Sequence, residues 1–241
     1  MVRHRSGMRC TCKVGNDYVV IDSKGHHILT GCTQNGSKRI TLHNAIVHSI
    51  NNCLKYCGCW TQLEERAFPG HDAKPDISIR HPIHSNKNDL FLDVSIATPY
   101  IGIQRGRTEP PLLNRQPDMA AVKTKLRAAK SRYSQKITKY APFMQTRPDA
   151  EFLPFVFETS GAMHADATQL LSKYANHAAD IKKIPQAIIY DYFLKIVSVA
   201  FQRNLADSIC SRLHNLSSKT PMEIVHPEFN PNNILAQTIS N

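Results

Sequence analysis

Residues 74–95, KPDISIRHPIHSNKNDLFLDVS, constrain the fold more than any other stretch of the chain. In their second half Leu90, Leu92, Val94 and Ile96 alternate with Phe91, Asp93 and Ser95, so a strand here sends aliphatic side chains to one face and Asp93 to the other. In the first half Ile77 and Ile79 oppose Asp76, Ser78 and Arg80 with the same period. If the two runs pair across the turn at 81–88, the carboxylates of Asp76 and Asp93 share one polar sheet face. Partly buried acids that close repel each other by several kcal/mol unless a cation or a proton sits between them. A hard divalent ion is one such cation. Taken singly, either aspartate also fits turn chemistry or a solvent-facing strand position. Asp93 stands apart because it interrupts the most hydrophobic strand-like run of this half of the chain.

At 241 residues the chain can bury a sizeable core, and one domain with an appendage is expected. Its charge is one-sided, with 30 Lys and Arg against 19 Asp and Glu for a formal net charge of +11. Such a field attracts polyanions, nucleic acid foremost, although a basic solvated surface has the same balance. No run approaches the roughly 20 apolar residues that span a bilayer, so no membrane partner is expected. The basic opening MVRHRSGMRCTC lacks the apolar core of a secretory signal, which makes a reducing, intracellular compartment the expectation. Cysteines there are thiols or metal ligands rather than disulfides.

Cys10, Cys12, His27 and Cys32 form the pattern C-x-C-x14-H-x4-C, with His26 competing for the histidine position. Three thiolates and an imidazole make a closed tetrahedral zinc set, and the nearby glycines supply turns for a small knuckle. Cys53, Cys57 and Cys59 have no histidine at convenient spacing and read as buried thiols at a helix end. Leu42, Ile46, Ile50 and Leu54 recur every four residues, which predicts a helix over 42–56 that starts at His43 and Asn44. A first strand is expected over 60–68, carrying Glu64 and Glu65, either of which is a candidate third acid beside the aspartates.

A polar loop over 99–117 leads into the clearest helical pattern. Asp118 is its expected cap, and Leu126, Ala129, Tyr133, Ile137 and Tyr140 form its expected core stripe. Lys125, Arg132, Lys136 and Lys139 fall near one face, and no acid occurs from Met119 to Tyr140. Such a face repels itself unless a polyanion such as a phosphate backbone covers it. FLPFVFET, 152–159, reads as a buried strand, followed by helices over 165–178 and 185–213. The second of these has Ile188, Tyr192, Ile196 and Val199 on its expected apolar side. The Pro-, Asn- and Ser-rich end from 217 reads as a poorly ordered tail.

The order helix, three strands with acids, basic helix, strand resembles the PD-(D/E)XK, or restriction-endonuclease-like, superfamily. More narrowly, it resembles the endonuclease domain that follows the reverse transcriptase in site-specific non-LTR retrotransposon polyproteins. The likeness rests on the Cys10, Cys12, His27, Cys32 knuckle, the His43-Asn44 pair, Lys74-Pro75-Asp76, Leu92-Asp93-Val94-Ser95, Lys136-x-x-Lys139-Tyr140, and FLPFVFET before Gly161. It implies an α/β fold with a restriction-endonuclease-like αβββαβ core, an N-terminal zinc knuckle and C-terminal helices. The corresponding divisions are a knuckle arm at 1–40, a nuclease-like domain at 41–216 and a tail at 217–241.

The resemblance further implies a metal-dependent DNA endonuclease. Asp76 and Asp93 would hold Mg2+ or Mn2+, Lys136 or its rival Lys139 would assist catalysis, and Glu64 or Glu65 would join them. The knuckle would bind structural Zn2+. Lys125, Arg132, Lys139 and His43 would meet nucleic acid, and the partners would be DNA in the nucleus and a reverse transcriptase or RNA of the parent element. Ser95 stands where the superfamily usually has a lysine, and Leu42 where the narrower family has an arginine. The alternative is a catalytically inactive nucleic-acid-binding module of the same fold.

Overall fold

A computed structural model describes residues 9–14, 17–20, 36–68, 73–83, 85–99 and 123–217. The sheet is organised around the strand that the alternating run forms, Asp89–Ala97, with nearly every side chain buried. Numbered in chain order, the strands are β1 (Arg9–Val14), β2 (Asp17–Val20), β3 (Trp60–Leu63), β4 (Ile77–Arg80), β5 (Asp89–Ala97) and β6 (Ala150–Glu158). The helices are α1 (Gly36–Tyr56), α2 (Arg127–Gln145), α3 (Ala165–Lys182) and α4 (Gln186–Ser217). The chain is thus α/β, with a four-stranded mixed sheet in the order β3-β4-β5-β6 and a separate two-stranded sheet, β1-β2. No helix among the described residues is long and apolar enough to cross a membrane.

The hairpin forms as the alternation requires. β4 runs antiparallel to β5 with Ile77 opposite Leu92 and Arg80 opposite Asp89, and the His81 N–H closes the turn on the Asn88 carbonyl at 2.7 Å. β6 is parallel to β5 along its whole length. A parallel neighbour needs a crossover, and α2 is in it. Leu90, Leu92 and Val94 join Ile77, Ile79, Phe155 and Phe157 in a core shared with α1, α3 and α4. Phe91 and Ala97 belong to smaller clusters under α2, the first with Tyr140 and the second with Ala129. Period-2 geometry therefore turns Asp93 away from the main core and toward α2.

Several elements differ from the sequence expectation. α1 begins at Gly36, so His43 and Asn44 lie two turns into it and not at its start. Its stripe of Leu42, Ile46, Ile50 and Leu54 is buried as expected. Gly58, at φ 80°, turns the chain out of the helix in the left-handed region that glycine adopts freely. β3 stops at Leu63, and Glu64, at φ 49°, breaks it before the expected end at 68.

α2 starts at Arg127, behind a left-handed Leu126 that makes no side-chain cap. Lys125 is consequently in the turn before the helix, off the shared face expected for it. The inward row is Ala129, Tyr133, Lys136 and Tyr140, while Ile137 is 40% exposed, so Lys136 occupies the place expected for Ile137. In α4 the buried row is Ile189, Phe193, Val197 and Phe201; of the expected row Tyr192 and Ile196 are half-buried against the core, while Ile188 and Val199 are exposed. The two phenylalanines bring the larger apolar volume, and Phe201 stacks on Phe157 with centroids 5.8 Å apart.

Of the expected zinc set, Cys10 and Cys12 fall on β1, whereas His26, His27 and Cys32 lie outside the described residues, as do Asp118, the loop from residue 100 and the tail from 218.

Candidate active site

Asp76 sits just before β4, where a proline at 75 favours an extended entry. Its backbone N–H donates to the Leu92 carbonyl at 2.9 Å, and its carboxylate Oδ2 accepts from the Val94 N–H at 2.6 Å. The side chain of Asp76 is thereby fastened to the residue next to Asp93. Its other oxygen, Oδ1, is 3.1 Å from Nε2 of His43, which reaches it from α1.

Asp93, 5% exposed, faces α2. Its Oδ1 accepts a hydrogen bond of 2.8 Å from the Tyr140 hydroxyl. Lys136, one turn before Tyr140, places its ammonium 2.6 Å from Oδ2. That oxygen is buried, so the ammonium is its counter-charge in a nearly closed ion pair. Pro154, its partner in the parallel register, lies opposite Asp93 on the edge strand β6, a strand position open to a residue with no N–H to donate.

The five groups act on one another electrostatically. The hydrogen bond to Asp76 is the main reason His43 titrates above its usual 6.5; burial opposes it, the charges of Asp76 and Asp93 add to it, and Lys136 subtracts from it. Burial first, then the charge of Asp93 and the hydrogen bond to it, then the charge of Asp76, push the Tyr140 hydroxyl well above the ordinary phenol range. A histidine on α1 and a tyrosine on α2 thus both feel both acids. Two acids, one ammonium and one readily protonated imidazole form a nearly balanced cluster at the Asp76 end of β4.

Lys136 is the lysine at the acids. Lys139 is exposed and rests its ammonium over the Tyr140 ring, 5.2 Å from the centroid. Glu64 is brought near by its backbone, whose N–H donates to the Asp76 carbonyl at 3.1 Å, but its side chain is exposed. Glu65 is bound to Arg80, which also pairs with Asp89. Arg132 bonds Gln135 on the outer side of α2 at 3.3 Å, and Lys125 is exposed. His43, expected at nucleic acid, is engaged with Asp76. Sequence reasoning gave Tyr140 a place in the core stripe and in the resemblance but no part at the acids; a tyrosine four residues from a lysine on the face that covers an acid was the available signal.

Among the described residues, no three His, Cys, Asp or Glu side chains gather at metal-holding distances. The donors at this site are two carboxylates, Asp76 held by His43 and the Val94 N–H and Asp93 by Tyr140 and Lys136. That set suits a hard ion such as Mg2+, which takes few protein ligands and completes its shell with water and phosphate oxygens. Neither the protein-family models nor the curated proteins contain a match to this chain.

Proposed function

We propose that the protein is a metal-dependent DNA endonuclease on a restriction-endonuclease-like plan, related to the nuclease domains of site-specific non-LTR retrotransposons. One observation carries this reading: Asp76, at the entry to β4, is hydrogen-bonded to Val94, the residue after Asp93 on β5, and the inward lysine of a helix rich in basic residues reaches Asp93 at 2.6 Å. The element order α1-β3-β4-β5-α2-β6 supports it. Asp76 and Asp93 would hold Mg2+ or Mn2+, which when bound makes water more acidic and neutralises the charge that builds on the phosphate. Lys136 would share that charge or orient the attacking water from beside Asp93. His43 holds Asp76 in place. The exposed bases Lys125, Lys130 and Lys139, with Arg132, would follow the DNA backbone, and the Cys10, Cys12, His27, Cys32 zinc knuckle would add contacts to the duplex.

Purified protein is expected to nick supercoiled plasmid in Mg2+ or Mn2+, and Asp93→Ala to abolish nicking. Equal nicking by both proteins would remove the assignment. A second reading, a nucleic-acid-binding module of the same fold without catalysis, is favoured by the way Tyr140 and Lys136 already occupy both oxygens of Asp93. Calorimetric titration of Mn2+ into the protein with DNA present separates the two, since only the enzyme needs to bind the ion.

A further inference from the structure

Tyr140 is 2% exposed and touches both acid-bearing segments. Its hydroxyl lies 2.8 Å from Asp93 Oδ1 on β5 and 3.1 Å from the carbonyl of Lys74, two residues before Asp76. The ring is fixed independently of the hydroxyl, stacked on Phe152 with centroids 4.2 Å apart and tilted against Phe68 at 6.0 Å. The charged carboxylate is the stronger acceptor and takes the single phenolic proton. With Oδ1 held in this way, the remaining torsional freedom of Asp93 is removed and Oδ2 points to Lys136.

We propose that Tyr140 is a positioning residue that sets the orientation of the Asp93 carboxylate, so that it can share one divalent ion with Asp76. This rests on the nuclease reading above. Without the hydroxyl, the Asp93 carboxylate can turn about its last torsion and follow Lys136. The pair would then have to be ordered again each time an ion binds.

Tyr140→Phe keeps the ring and its stacking and removes only the hydroxyl. It is expected to slow plasmid nicking at saturating Mn2+ and DNA by about tenfold to a hundredfold, the range for losing a hydrogen bond to a charged group. Affinity for DNA measured in chelator is expected to stay within about twofold, because the hydroxyl is buried away from the helix face that would meet DNA. Mn2+ affinity, measured by calorimetry without DNA, is expected to fall. A purely structural strut would leave Mn2+ affinity unchanged.

The ion-free protein provides a second readout. A double-mutant cycle of Tyr140→Phe and Asp93→Asn on the urea unfolding constant should show coupling of about tenfold or more. If wild type nicks and Tyr140→Phe nicks and binds Mn2+ equally well, the positioning role is overturned and the nuclease reading stands. If wild type neither nicks nor binds Mn2+, the nuclease reading falls, and the cycle alone decides whether Tyr140 orders Asp93. Zero coupling overturns that as well.

Discussion

Replacing Lys136 with methionine tests whether its ammonium, and no other base on α2, carries the counter-charge of Asp93. Asp93 is nearly closed off, with 7% of its side chain exposed, and the Lys136 side chain is 17% exposed. Breaking a buried pair by removing one partner costs about 3–5 kcal/mol, because the other charge is left without compensation. Two features reduce that figure here. Tyr140 still donates to the carboxylate, and water reaches the lysine end of the pair. A loss of roughly 2–3 kcal/mol remains, which lowers the urea midpoint by about 1 M at an unfolding slope near 3 kcal/mol/M.

Lys139→Met is the matched control. It removes an exposed ammonium over the Tyr140 ring, and cation–π contacts of that kind are worth about 0.5–1 kcal/mol. Both midpoints would be measured in chelator, followed by fluorescence or far-UV circular dichroism, and again in saturating Mn2+. In chelator the order of stability is expected to be wild type, Lys139→Met, Lys136→Met. In Mn2+ the Lys136→Met deficit is expected to shrink, since an ion bound by the acids supplies the missing positive charge. Coincident midpoints for the two variants in chelator would refute the argument.

Two further outcomes follow from the titrating groups. His43 titrates above 6.5 in the folded chain, so its contribution to stability is complete below that value and is lost as pH rises through the higher folded value. Wild type should therefore exceed His43→Gln in urea midpoint at about pH 5.5 without metal, with the gap closing toward about pH 9; a gap that widens with pH contradicts the Asp76 contact. Burial pushes the thiols of Cys53 and Cys57 up to about 12, which leaves about one thiolate in ten thousand at pH ~8. Iodoacetamide should label exposed Cys210 in the native chain and spare Cys53 and Cys57 until urea is added, and rapid native labelling of either, read by peptide mass, contradicts the packing of α1.

Much of the sheet was legible because β4 and β5 alternate cleanly. A two-residue period with Asp93 inside it admits one pairing that keeps Leu90, Leu92 and Val94 in the core, so the hairpin and the side that Asp93 faces could both be read from residues 74–95. Helix boundaries were less legible. α1 gains six residues before Leu42 that carry no apolar stripe, and α2 begins after a left-handed Leu126 that no capping residue announces. The row of α4 was placed to one side of the buried one because that helix is apolar on more than one side, and Tyr192 and Ile196 still pack at the edge of the core. The choice between Ile188 and Ile189 is made by Phe193 and Phe201 packing against Tyr56 and Phe157, contacts from distant parts of the chain.

The rotation of α2 is the departure with most bearing on chemistry. Hydrophobicity alone would put Ile137 inward and Lys136 outward, since burying isoleucine is favourable by about 1.5–3 kcal/mol and burying an unpaired ammonium is strongly unfavourable. The protein does the reverse, and the reason lies beneath the helix. With Ile137 over Asp93, a buried carboxylate would have an alkyl group beside it and another acid nearby, a cost that exceeds what isoleucine contributes. With Lys136 there, the two desolvated charges offset each other at 2.6 Å, and Tyr140, four residues on, falls where its hydroxyl can reach the second oxygen. Ala129 and Tyr133 lie on the same row and need no other rotation. The acid on β5 thus selects the register of the helix above it, so a helix pattern read without its partner strand puts the wrong residue over the site.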